Sequence, residues 1–272
     1  MKEMPLLIQS KEIDRLRSTA ELFDNNPHLQ ENARTFSSRP LVDVDPRCLL
    51  YVQQREFAAT TPADNSVSVI GSDDATTCHL VVLRHTGSGA VCLAHCDGSS
   101  TCSEVPLLVK AVASLSNLCK DGRFELHLVG GFNDDSETSH ELSLNILAAF
   151  QKQKEDIHLE TCCISEMNDI AENGIHRPIV YGIGVNVKTG EVFPASFAHK
   201  GPAEKLRSAR TFTGGQYLST SPMAEPPHFV QHIKSTIQFL LEHPNSDSLF
   251  PGGQPQFYHR AESGDWERLV QS

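Results

Sequence analysis

The strongest constraint on how this 272-residue chain folds is a pair of apolar runs, His79-Leu80-Val81-Val82-Leu83 and Ala90-Val91-Cys92-Leu93-Ala94. Between them lies Thr86-Gly87-Ser88-Gly89, a turn-forming sequence suited to an antiparallel hairpin. Further strands are predicted at Leu49–Val52, Val67–Ile70 and Phe124–Val129, the last ending at Gly130-Gly131. Three more follow at 157–164, 179–187 and 191–197, the final two joined across Lys188-Thr189-Gly190.

Apolar residues at three- and four-residue spacing predict a helix over Glu104–Cys119, with Leu107, Leu108, Ala111, Leu115 and Leu118 on its inner face. A second is predicted over 137–153, with Leu142, Ile146, Ala149 and Phe150 inward. A third runs over 227–242, its start marked by Pro226 and Pro227. Residues 11–22 read as a short helix followed by a polar lead-in to Pro46, so the chain divides into 1–46 and one larger domain over 47–272. The tail, with Phe257-Tyr258 and Trp266, adds two short strands. Hairpins segregated from a few long helices point to an α+β fold rather than a Rossmann alternation.

A composition of 39% hydrophobic and 21% charged residues is that of an ordinary globular protein. The formal net charge of -11 argues against nucleic acid as a partner, because phosphate binding needs a basic footprint. It suits cationic partners better, including peptides with a free α-amino group. Residues 1–30 hold Lys11, Glu12, Asp14, Arg15 and Arg17 and no secretory apolar run, and no stretch is long enough to span a membrane. The eight cysteines are therefore read as reduced thiols of an intracellular, cytoplasmic protein, with the nucleus as a second compartment.

One segment carries chemistry. In Gly71-Ser72-Asp73-Asp74-Ala75-Thr76-Thr77-Cys78, small polar residues lead straight into a cysteine at the mouth of a predicted strand. His95, in Leu93-Ala94-His95-Cys96-Asp97-Gly98, stands at the end of the partner strand. Hairpin pairing can bring the two together. A free thiol titrates near ~8.5 and needs a base or a depressed pKa to attack at neutral pH; histidine supplies either. Cys92, Cys96 and Cys102, with His79 or His95, raise zinc as an alternative, but their spacing is not the paired C-x-x-C of structural sites. Cys162-Cys163 lies inside an apolar strand and reads as core. Gly130-Gly131 reads as a strand-end turn, since no Lys-Ser/Thr follows to make a phosphate loop.

The run GSDDATTCHLVVLRHTGSGAVCLAHCDG, with LLYVQQREFA before it and ELHLVGGFNDD after it, resembles the N-terminal asparagine amidohydrolases. So do IVYGIGVNVKTGEVFPASF, GPAEKLRSARTFTGG and LSTSPMAEPPHFVQHI. The resemblance implies an α-β-β-α sandwich and a monomer acting on proteins or peptides with an N-terminal Asn. The side chain becomes Asp with release of ammonia, feeding an N-degron degradation pathway, without metal or organic cofactor. It implies Cys78 as nucleophile. The hairpin also resembles bacterial chemoreceptor glutamine deamidases, whose spacing from nucleophile to histidine matches that of Cys78 and His95. Their third catalytic member is a Thr at the place held here by Ser72. For the substrate's amine, carboxylates are the expected partners, Glu225 first and then Asp73, Asp74 and Asp97.

The chain departs from that pattern twice. Met1-Lys2-Glu3 precedes the Met4-Pro5-Leu6-Leu7 with which relatives begin. After Thr213-Gly214-Gly215, Gln216-Tyr217 leads directly to Leu218-Ser219-Thr220-Ser221-Pro222, where relatives carry a further strand-rich segment. The second reading is therefore a catalytically impaired splice-type variant acting only as a peptide-binding protein.

Overall fold

Leu80 and Val82 face one way along their strand, Val81 and Leu83 the other, and all four are buried. A strand covered on both faces reads as a continuous apolar run, which is why the hairpin stands out in the sequence. The computed structural model describes residues 6–117, 119–212 and 219–270. In chain order the elements are β1 (Leu6–Ile8), β2 (Lys11–Glu12), α1 (Thr19–Asn25), α2 (Pro27–Ser37), β3 (Val42–Asp43), β4 (Leu49–Tyr51), β5 (Phe57–Thr60), β6 (Val69–Ser72), β7 (His79–His85) and β8 (Val91–Cys96). Then come α3 (Thr101–Leu115), β9 (Phe124–Gly130), α4 (Thr138–Gln151), β10 (Ile157–Ile164), β11 (Asp169–Glu172), β12 (Ile175–Pro178), β13 (Ile183–Asn186) and β14 (Val192–Ser196). The chain continues through α5 (Glu204–Ala209), α6 (Phe229–Glu242), α7 (Ser246–Leu249), β15 (Phe257–Arg260) and β16 (Trp266–Leu269).

The fold is α+β, built on two sheets. The larger has the order β2-β1-β10-β9-β7-β8-β5, and the β7–β8 hairpin lies inside it. The smaller has the order β3-β14-β13-β6-β4. One face of the large sheet packs Val81, Leu83, Leu126 and Leu128 against Leu108 and Val112 of α3 and Ile146 and Phe150 of α4. Its other face packs Leu80, Val82, Leu93 and Val129 against Ile70, Ile183 and Val185 of the small sheet. Helix, sheet and sheet are thus stacked in that order. The outer face of the small sheet carries Leu49, Tyr51, Ala195 and Phe197 in a minor apolar cluster.

Three local expectations are corrected. Residues 11–22 do not form one helix: Lys11 and Glu12 pair with Ile8 and Leu7, and the helix begins at Thr19, where the Ser18 hydroxyl accepts from Glu21 N at 3.1 Å. The stretch that read as a polar lead-in holds α2, which Pro27 opens and which buries Leu29, Ala33 and Phe36. On α3 the buried stripe is Val105, Leu108, Val109 and Val112, while Leu107 and Leu115 are 50% and 37% exposed. The Leu runs drew the face too far round the helix. Leu118 falls outside the described residues, as do Met1–Pro5 and the junction around Gly215–Leu218.

Candidate active site

Two sheets deliver the site. Strand β6 of the small sheet ends at Ser72, which is fully buried, and Ser72 Oγ lies 2.8 Å from Nδ1 of His95 on β8 of the large sheet. His95 Nε2 is buried without a protein partner among the described residues. Cys78 immediately precedes β7. Leu80 pairs directly with His95, so Cys78, two positions earlier, is the diagonal neighbour of His95 on the same face. Both line one cavity of about 420 Å³.

A close approach holds the Cys78 backbone. Its carbonyl accepts from Gly131 N at 3.1 Å, and a Cβ on Gly130 (φ 144°) would lie 2.4 Å from that oxygen. Only glycine fits there. Burial drives the Cys78 thiol far above its ordinary pKa, with Asp97 and Glu225 adding to the shift and Arg55 opposing it. Burial pushes His95 down to about 4. At neutral pH the pair is therefore thiol and neutral imidazole, and the thiol depends on a base rather than on a lowered pKa.

The four acids named from the sequence all line this cavity, and their partners separate them. Asp73 meets Tyr51 Oη and, at 3.1 Å, Lys200 Nζ. Asp74 binds the same Lys200 and, at 2.8 Å, His228 Nε2. Asp97 accepts from Arg55 Nε at 2.5 Å and from Gln54 Nε2 at 3.0 Å. Glu225 alone has no basic partner among the described residues. It follows the short turn Pro222–Ala224 and accepts from Thr76 Oγ1 at 2.8 Å and Ser219 Oγ at 2.7 Å. Burial raises its pKa. The two hydroxyls fix the carboxylate without neutralising it.

The sequence model of protein N-terminal asparagine amidohydrolases matches residues 39–218 and 215–268. The human protein N-terminal asparagine amidohydrolase is 45% identical over 305 aligned positions, covering 98% of each chain. The mouse protein of the same name is 46% identical with the same coverage. One from Arabidopsis thaliana is 26% identical over 313 positions, covering 90% of this chain and 88% of its own.

This chain belongs to the protein N-terminal asparagine amidohydrolase family. In this member, sequence reasoning missed the groups that bind the acids. Tyr51 and Arg55 share one segment, but Lys200 and His228 come from two others, and no spacing signals that they meet. Thr76 and Ser219 sit inside motifs that were noted, but hydroxyls are too common to mark a site. Among the described residues, no three His, Cys, Asp or Glu side chains converge as metal ligands. Cys92 and Cys96 are buried in the core under α3, and Cys102 is exposed.

Proposed function

We propose that this chain hydrolyses the side-chain amide of an N-terminal Asn to Asp, with Cys78 as nucleophile, His95 as base and acid, Ser72 as the group orienting His95, and Glu225 as the amine anchor. The observation that carries it is a thiol–imidazole pair in one cavity with a carboxylate that has no cation of its own among the described residues. A free α-ammonium group is the missing partner, and a charge-assisted hydrogen bond to a half-desolvated acid selects it.

For His95 to act as base, Nε2 must be free to accept, so Nδ1 carries the proton and donates to Ser72 Oγ. The Cys78 sulfur attacks the amide carbon while its proton passes to His95 Nε2. The tetrahedral oxyanion then collapses, and His95 returns the proton to the departing nitrogen, which leaves as ammonia. Water adds to the thioester with His95 again taking a proton, and collapse restores the thiol and leaves a carboxylate. In 73–78 the N–H groups of Asp73 and Ala75 already donate to Tyr51 Oη and the Tyr181 carbonyl, so those of Asp74, Thr76, Thr77 and Cys78 are the candidates for an oxyanion hole, worth a few kcal/mol when preorganised.

The carboxylates that ranked behind Glu225 are already committed to Lys200, His228 and Arg55, which supports Glu225 as the anchor. The test is direct. Purified protein is incubated with an Asn-initiated peptide, its N-acetylated form and a Gln-initiated peptide, and ammonia and the mass change of NH₂-to-OH exchange are followed. Turnover of the free Asn peptide alone is expected. Equal rates on free and acetylated peptides would remove the amine pocket from the reading, and no turnover on any would favour a chain that only binds.

A further inference from the structure

Lys200 is held where a cavity wall has little room for a lysine. Its side chain is 11% exposed, with Nζ 3.1 Å from Asp73 Oδ1, bonded to Asp74 Oδ2, and 5.5 Å from the centre of the Tyr51 ring. The two acids are consecutive and stand between Ser72 and Cys78. Asp74 is left-handed at φ 56°, a conformation that a non-glycine residue keeps only when its surroundings impose it.

The main chain of residue 200 is tied in the other direction. Its carbonyl accepts from Arg207 Nη1 at 2.8 Å. Arg207 Nη2 donates to Glu56 Oε1 and to the Tyr51 carbonyl, each at 2.7 Å. The Glu56 carbonyl accepts from His95 N at 3.1 Å. One residue thus links the loop that ends at the thiol to the strand that carries the imidazole.

We propose that Lys200 is a positioning residue for the deamidation, holding Asp73 and Asp74 so that the 73–78 loop sets the Cys78 thiol against His95. This rests on the Cys78–His95 reading above. Charge gives it a signature that packing alone would not have. The groups facing His95 are Asp74 from the loop after β6, Asp97 from the end of its own strand, Glu56 from the β4–β5 connection, and Lys200. The three acids favour imidazolium and Lys200 opposes it. Asp74 also pairs with His228, while Asp97 pairs with Arg55 and Glu56 with Arg207 and, at 3.8 Å, Arg210. Without Lys200 the acids prevail, and His95 holds a proton to higher pH.

The experiment compares the native chain with Lys200→Met and with Lys200→Met/Asp74→Asn. It measures kcat and KM on an Asn-initiated peptide and the pH profile of Cys78 alkylation by iodoacetamide, located by peptide mapping. In Lys200→Met, kcat should fall roughly 10- to 100-fold, as for a misplacement of about an ångström, with KM nearly unchanged. The acid limb of alkylation should move up by about half a pH unit to one unit. The double variant should return the limb to its native position without restoring kcat. An unmoved limb with native kcat would overturn the proposal. So would a loss confined to KM, which would make Lys200 a substrate contact, or full recovery of kcat in the double variant, which would reduce it to a counter-ion. If Lys200→Met does not fold, the double variant, with one buried acid fewer to compensate, carries the same kcat test. Turnover surviving Cys78→Ala would sink the thiol reading itself, whatever happens at position 200.

Discussion

Glu225 is informative for what does not touch it. Glu225→Gln removes the charge at nearly constant shape, leaving one acceptor oxygen for the two hydroxyls, and should lower kcat/KM on an Asn-initiated peptide by roughly 10- to 100-fold. That is the equivalent of the ~1.5–3 kcal/mol of a hydrogen bond to a charged group. The loss should lie mainly in KM, and an unchanged KM would move the anchor elsewhere. Cys78→Ala should abolish turnover, and His95→Asn should lower it by ~10²–10⁴-fold, the usual range for general acid–base catalysis. His95→Asn should also slow alkylation of Cys78 near neutrality, because the buried thiol has no depressed pKa to fall back on. Unchanged alkylation would show that the imidazole does not take the thiol's proton.

At the scale of elements, the Cys78 position depends on how closely β9 approaches it. Gly130→Ala puts a methyl group against the Cys78 carbonyl and should cost activity beyond its cost in stability, measured as turnover against the denaturant midpoint. On α3, Leu108→Ala should cost ~2–5 kcal/mol, whereas Leu107→Ala should stay within about half of one. Equal costs would mean that the helix sits rotated from the orientation described. The central strands, α4 and α6 were legible because each is either a continuous apolar run or a clean amphipathic period, and the β15–β16 hairpin because its aromatic residues mark it. Strand β5 (Phe57-Ala58-Ala59-Thr60) and the β11–β12 hairpin were not, since they are short and lack a buried stripe of their own. The α3 face went astray because paired leucines fit two helical stripes equally well. In the site, Cys78 and His95 could be named because a hairpin fixes local register and Ser72 through the resemblance to the glutamine deamidases, while Lys200 reaches the same cavity from over a hundred residues away.

For the whole molecule, burial pushes His79, His95 and His127 each down to about 4, against an ordinary value near 6.5. Between those values the unfolded chain binds more protons than the folded one, so stability rises with pH there and falls on acidification. Unfolding near pH 5 should take up close to three protons at these histidines beyond those of the carboxylates, and His79→Gln should remove about one of them. The relatives' alignments run over 305 positions against the 272 residues present, and the family match breaks at 215–218. Helix α6 nearby leaves Val230 60% and Leu241 76% exposed. A chain with a strand-rich segment inserted after Gly215, where the family match breaks, is expected to unfold at higher denaturant and to turn over faster; equal midpoints and rates would make such a segment dispensable. Ser72 and His95 belong to different sheets, and one 2.8 Å bond joins them across the apolar layer between. On the proposed mechanism, turnover is therefore a caliper on the gap between the sheets. Trimming Ile70 or Leu93 in that layer, or squeezing the layer with hydrostatic pressure, should register in turnover before the melting temperature notices.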